Sequence, residues 1–119
     1  MRQLSYKGKT LGNACSVYGI YKKNTGRGFT SDVAMLSRVG KIQTKLQHPE
    51  TLTDDDIELL NKVDTGIIVV NLYVALRQAG DPEAYSKKAV DVANEITMDD
   101  ISDPELINVI TELVKPKKA

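Results

Sequence analysis

The chain has 119 residues, 41% of them hydrophobic and 27% charged, which is the balance of one globular domain rather than of a disordered chain. One cysteine and one histidine exclude an internal disulfide and a structural zinc site within one chain, and aromatic residues at 5% are too few for a platform that stacks single-stranded nucleic acid. The net charge of zero hides a division, because residues 1–47 carry nine Lys or Arg against one acid, whereas residues 48–112 carry fifteen acids against four bases.

The first predicted elements are a β-hairpin and a short helix. The Lys7-Gly8-Lys9 segment favours a tight turn, so residues 1–12 are interpreted as a β-hairpin or an extended arm. Residues 13–23 have apolar side chains at helical spacing, which predicts the first helix. Either Gly26 or Gly28 can adopt the left-handed conformation that ends it.

Two longer helices are predicted next. Asp32 closes a run of three residues that can cap a helix, and the apolar spacing that follows predicts a helix from Asp32 to Leu46, which Pro49 ends. Thr53, followed by three aspartates, is a strong start signal for another helix. Its apolar positions recur without interruption as far as Gly80, which is expected to be the residue just past its C-terminus.

The last two predicted helices begin at an aspartate followed by proline. Asp81 and Asp103 are the predicted N-caps, with proline at the first helical position of each. Their predicted inward residues are Tyr85, Ala89, Val92, Ala93 and Ile96 in the first helix and Leu106, Val109, Ile110, Leu113 and Val114 in the second. The basic residues 115–119 are expected to be a disordered tail. The sequence therefore predicts a mainly α single domain, 1–119, of about five helices with an N-terminal β element.

The run from Ile67 to Leu76 has the most information about function. Only Asn71 in it is polar, so as a helix it is apolar on nearly every side, yet it is far too short for the roughly 20 residues that span a bilayer. We therefore expect no membrane association. One interpretation is a fully buried central helix. The other is that one flank is exposed in the free protomer and binds a partner, in which case the contact residues are Ile68, Val69, Leu72, Tyr73 and Leu76.

No motif in the sequence predicts catalysis, a cofactor or a metal ion. The glycines at 24–28 have neither Walker nor dinucleotide-binding spacing, and the acids at 54–58 lack the alternating ligands of a calcium loop, so turn and cap roles are favoured. His48 is interpreted as a helix C-terminal residue and Cys15 as a small buried side chain. We accordingly expect a protein that is not an enzyme.

The order of elements resembles that of the small tail assembly chaperones of long-tailed phages of Gram-positive bacteria. The resemblance covers most of the chain in layout and rests on three segments: Tyr6-Lys7-Gly8-Lys9, the helix end Leu72-Tyr73-Val74-Ala75-Leu76, and an acidic close from Ala89-Val90-Asp91 through Asp103-Pro104-Glu105-Leu106-Ile107 to Glu112-Leu113. It implies a mainly helical fold without catalytic residues, protomers that assemble into spirals, and binding to the apolar helices of the tape measure protein. It also implies a place in the host bacterial cytoplasm during assembly and absence from the mature virion.

The division of charge leads to two further expectations. Basic and acidic segments of this size favour head-to-tail association of copies, because a heterologous contact brings opposite charges together. The alternative function is a small helical regulator associated with nucleic acid through its basic first half, since lysine and arginine neutralise phosphates. The scattered spacing of these bases disfavours that alternative.

Overall fold

The computed structural model describes residues 1–115 and begins with an antiparallel hairpin, β1 (Gln3–Tyr6) and β2 (Lys9–Gly12). Both turn residues between the strands have positive φ, 48° at Lys7 and 78° at Gly8, which is the requirement of a type I′ turn. The hairpin contributes Tyr6 and Leu11 to the core, where both are fully buried. The predicted β-hairpin is thus confirmed.

Two helices follow, α1 (Ser16–Thr25) and α2 (Phe29–Lys45). Gly26 ends α1 in the left-handed conformation, with φ of 71°, so of the two glycines predicted for this role, Gly26 and Gly28, the first has it. The cap prediction at Asp32 is wrong, because α2 already begins at Phe29 and the carboxylate is buried within the first turn. Cys15 is exposed rather than buried, since it lies just before α1 and outside its inward stripe.

A capping box starts the next helix, α3 (Asp54–Lys62), after a short 3-10 turn at Pro49–Thr51. The Thr53 hydroxyl accepts from the Asp56 N–H at 3.1 Å, and the Asp56 carboxylate accepts from the Thr53 N–H at 3.1 Å. The predicted role of this segment is therefore confirmed. None of the residues of α3 is buried, and α3 packs on α2.

The uninterrupted helix predicted up to Gly80 is wrong. The chain breaks at Val63 and Asp64, whose backbones are extended, and α4 (Thr65–Gly80) starts at 58° to α3. The Asp64 carboxylate accepts from the Ile67 N–H at 3.3 Å, so this aspartate caps a new helix where the apolar pattern alone indicated continuation.

Helix α4 is the centre of the fold. It packs against α1, α2, β2 and the four helices that follow it in the described chain, over residues 82–114. Gly80 is its last residue rather than the residue after its end, and it lies so close to β2 that a Cβ atom there would be 2.7 Å from the Gly12 Cα. This close approach of two backbones explains why both positions are glycine.

The sequence predicts a single helix after Asp81, but the structure has three short helices there: α5 (Pro82–Tyr85), α6 (Ala89–Ala93) and α7 (Met98–Ile101). All three pack against α4. Tyr85 is 63% exposed, against the prediction, whereas Val92 and Ile96 are buried as predicted.

The last described helix is α8 (Pro104–Val114). Both predicted helix starts, an aspartate followed by a proline, are confirmed. The Asp81 carboxylate accepts from the Glu83 N–H and the Asp103 carboxylate from the Glu105 N–H, each at 3.0 Å. The predicted disordered tail lies outside the described residues apart from Lys115.

The described chain is mainly α with an N-terminal hairpin, as predicted, and measures 48 × 34 × 27 Å. Five of its helices have nine or more residues, but they are not the five predicted, because one predicted helix is split and another is three short pieces. Within residues 1–115, no single helix has the length and apolar character to span a membrane, although the bent pair α3 and α4 together passes by length and composition.

Candidate functional site

An open apolar groove lies beside α4, between α2 and α8. Val69 and Leu72 of α4 form its floor, and the cavity measures about 630 Å³. The residues from α2 that line it recur every three or four positions from Val33 to Gln43, which corresponds to about 15 Å of helix. The walls are Val33, Leu36, Ser37, Val39, Gly40 and Gln43 from α2, and Ile107, Ile110, Thr111, Val114 and Lys115 from the α8 region, with Thr65, Ile101 and Ser102 completing the lining.

The groove is nearly without charge. Among the lining residues that the structure describes, Lys115 is the one charged side chain, and the other polar side chains are hydroxyls and one amide. Several wall residues, including Leu36, Ile107 and Val114, are only half-buried in this protomer. Burying such side chains further is favourable, so the groove suits an apolar helix whose contact face is also uncharged.

The five residues predicted to form a partner-binding flank are Ile68, Val69, Leu72, Tyr73 and Leu76. None is more than 5% exposed, because the hairpin and α1, α5 and α6 cover the other sides of α4. The prediction of an exposed flank at these five residues is therefore wrong for the protomer. The interpretation as a fully buried helix holds for them but not for the whole run, because Ile67 is 58% exposed and Val70 and Asn71 are half-buried. Of the five predicted residues, Val69 and Leu72 reach the groove as its floor, while the other three are core residues outside its lining.

Sequence reasoning missed the groove walls. The apolar spacing of the sequence identifies Leu36, Ile110 and Val114 as inward-facing helix positions. The same spacing is found for core residues that are completely covered, so it does not distinguish a groove wall from the core. What opens the groove is the separation of α2 and α8 on either side of α4. Helical periodicity indicates which face of a helix is apolar, but not whether another helix covers it.

A buried ion pair ties the C-terminal half of α4 to the short helices. Arg77, only 3% exposed, donates to Glu95 at 2.7 and 3.0 Å and to the Thr10 carbonyl at 2.7 Å. Tyr73 donates its hydroxyl proton to the same carboxylate at 3.0 Å. Arg77 holds the pKa of Glu95 below its usual range, and burial together with that carboxylate raises the pKa of Tyr73.

The same combination of tyrosine, carboxylate and cation occurs at the hairpin. The Tyr6 hydroxyl donates to Asp100 at 2.9 Å and to Asp103 at 2.7 Å, and the Lys7 ammonium donates to Asp100 at 2.6 Å. Burial above all raises the pKa of Tyr6, while Lys7 contributes most to a pKa of Asp100 far below its usual range. These bonds fasten β1 to α7 and α8.

A third combination joins α1 to α2, where Asp32 accepts from the Tyr21 hydroxyl and from Arg27 at 2.8 to 3.1 Å. Arg27 holds the pKa of Asp32 below its usual range. In all three clusters the carboxylates stay ionised and the tyrosines neutral near pH 7. The clusters therefore stabilise packing rather than exchange protons in that range.

Within residues 1–115, no group of three or more His, Cys, Asp or Glu side chains is arranged to hold a metal ion. His48 is exposed, with its Nδ1 3.8 Å from a Glu50 carboxylate oxygen. Comparisons with protein-family models, curated proteins and solved structures give no match for this chain. The groove is the feature of the described chain whose shape and chemistry best suit a ligand.

Proposed function

We propose that this chain is a non-enzymatic phage tail assembly chaperone, which holds apolar helices of the tape measure protein until the tail tube forms around them. The observation that carries the proposal is the apolar groove between α2 and α8, which has Lys115 as the one charged side chain among its described lining residues and which the described chain does not fill. Its length along α2 accommodates a helix with anchors at positions i, i+3 or i+4, and i+7. The protein would act in the host cytoplasm and be absent from the mature virion.

The affinity expected of one groove is low. Three aliphatic anchors contribute roughly 4.5–9 kcal/mol on burial, against ordering costs of roughly 4 kcal/mol or more. A single site is then weaker than micromolar, since a micromolar complex requires about 8 kcal/mol net. Many copies along one long client would overcome this weakness through effective concentration. Self-association of the chaperone, head to tail, is therefore part of the proposal.

The alternative of a nucleic-acid-associated regulator gains little support from the positions of the basic residues. Three of the nine bases before residue 48 are paired with carboxylates of the same chain: Lys7 with Asp100, Arg27 with Asp32 and Lys45 with Asp56. Phosphate contacts at these positions would first have to break an ion pair. Of the described residues that line the groove, Lys115 alone has a charge that would attract a phosphate backbone.

A pair of matched isoleucine variants tests the groove. Ile107→Asn places an amide on a groove wall, whereas Ile67→Asn changes an isoleucine that is 58% exposed on α4 and outside the lining. Each variant is co-expressed with a phage tape measure protein, and the co-purified amount is measured. We expect Ile107→Asn to lose the client and Ile67→Asn to retain it, with unchanged circular dichroism for both. Equal retention by the two folded variants would contradict the groove assignment.

A further inference from the structure

Three lysines and no carboxylate line a second cleft, between α1 and the turn that joins α5 to α6. It measures about 690 Å³, and we call it the lysine cleft. Lys23 comes from α1, whereas Lys87 and Lys88 come from the half of the sequence that is acidic overall. The lining is Ser16, Gly19, Ile20, Lys23, Asn24, Gln78, Tyr85, Ser86, Lys87, Lys88 and Ala89. Folding therefore concentrates positive charge that the sequence keeps apart.

The lysine cleft is held in shape by a buried amide. Gln78, 8% exposed, donates to the Lys87 carbonyl at 3.0 Å and to the Ala84 carbonyl at 3.4 Å, and it accepts from the Asn24 side chain at 3.1 Å. These bonds join α1, α4 and the lysine-bearing turn. Lys87 Nζ lies 4.0 Å from a Glu95 carboxylate oxygen, whereas Lys23 and Lys88 have no ion pair within residues 1–115. The lysines thus project from a fixed frame, and Tyr85, 63% exposed, adds an apolar ring beside them.

The opposite charge is concentrated on one face of α3. Asp54, Asp55 and Glu58 are exposed there, and Ile57 among them is 47% exposed. The other face of α3 turns to α2, where Asp56 accepts from Lys45 at 3.1 Å. Glu58 also accepts from Lys62, one turn further along α3. The exposed face, which we call the acidic face, thus combines this ion pair with the carboxylates of Asp54 and Asp55 and one apolar anchor.

The two surfaces lie at opposite ends of α4. The acidic face, on α3, comes just before Thr65, the first residue of α4. Gln78 of the lysine cleft lies in the last turn of α4, about 20 Å from Thr65 along the helix axis. They cannot meet within one protomer. A two-fold contact centred on either surface would bring like charges together.

We propose that the acidic face of α3 in one copy of this chain docks in the lysine cleft of the next, with Ile57 against Tyr85. The contact joins two different surfaces, so each added copy leaves one of each free and the array stays open. The inference rests on the self-association in the proposed function and names the surfaces that produce it. It leaves the apolar groove outside the interface, available to a client.

Charge exchange tests the contact. Lys87→Glu with Lys88→Glu makes the cleft acidic, and Asp54→Lys with Asp55→Lys makes the face of α3 basic. Each double variant alone should self-associate at least tenfold more weakly than the wild-type chain in sedimentation velocity at low salt. An equal mixture of the two should recover association, because every contact between unlike variants is then complementary. Lys22→Glu with Lys41→Glu, at exposed lysines outside the cleft, should leave association unchanged.

The remaining outcomes separate the interface from the function. Association of both double variants at wild-type strength, or a mixture without recovery, overturns this interface while leaving the groove assignment intact. A wild-type chain that stays monomeric at every concentration overturns the self-association as well. A monomer whose lysine cleft retains a single-stranded oligonucleotide, with retention abolished by Lys87→Glu and Lys88→Glu, would assign the cleft to nucleic acid instead.

Discussion

Gly80→Ala should destabilise the protein, although alanine is the better helix former. The added Cβ atom would lie 2.6 Å from the Leu11 carbonyl carbon and 2.7 Å from the Gly12 Cα. Because both are backbone atoms of β2, no side-chain rotation can relieve the overlap, and the hairpin must shift away from α4. We expect a loss of about 1–3 kcal/mol in the free energy of unfolding. For a chain of this size that lowers Tm by about 4–12 °C.

Gly19→Ala in α1 is the matched control, since nothing lies within 4 Å of a Cβ atom built there. Without a steric cost, alanine should stabilise the helix by about 1 kcal/mol. Both variants are measured by urea and thermal unfolding followed by far-UV circular dichroism. The same change from glycine to alanine should thus lower the free energy of unfolding at position 80 and raise it at position 19. A Gly80→Ala protein as stable as the wild type would refute the reasoning about the helix–hairpin contact.

Two predictions concern the buried carboxylates. Lys7 above all holds the pKa of Asp100 low, so its contribution to stability is present above the unfolded pKa of about 4 and is lost as the pH falls below it. Asp100→Asn should therefore be less stable at neutral pH and lose less on acidification in urea titrations, and parallel losses in both proteins would contradict this. Arg77→Met should cost about 3–5 kcal/mol because it leaves the buried Glu95 carboxylate with Lys87, 4.0 Å away, as its only ion-pair partner among the described residues, and removes the ion-pair partner of Asp81. Adding Glu95→Gln should recover part of the loss, and a double variant no more stable than the single one would speak against an unpaired charge as the cause.

Local chemistry made much of the fold predictable. Three kinds of local signal each depend on neighbours within four residues. They are the type I′ turn at Lys7 and Gly8, the capping box at Thr53, and the aspartate–proline helix starts at Asp81 and Asp103. Such signals can be read from a short stretch of sequence. The break before α4 is not predicted, because the apolar spacing runs through Val63 into the next helix and hides the N-cap signal of Asp64.

The candidate site was predictable only in part. The apolar run of α4 indicates a helix with apolar neighbours on all sides. Val69 and Leu72, two of the five residues predicted to bind a partner, form the floor of the groove. The walls depend on how far apart α2 and α8 pack, which no local pattern determines. The lysine cleft depends likewise on folding Lys87 beside Lys23, which are 64 positions apart in the sequence.

The attachment of the hairpin to α7 and α8 has a consequence for synthesis of the chain. Tyr6 bonds to residues 94 and 97 positions later, and the side chains of Arg2 and Asn13 donate to carbonyls of Lys115 and Leu113. The first strand leaves the ribosome early, but its partners emerge 94 and 97 residues later. During translation α1 to α4 can already collapse together, while the hairpin lacks these contacts until α7 and α8 have been made. The hairpin can therefore be fastened only after both helices have emerged, and a product truncated before α7 would carry an unfastened N-terminus.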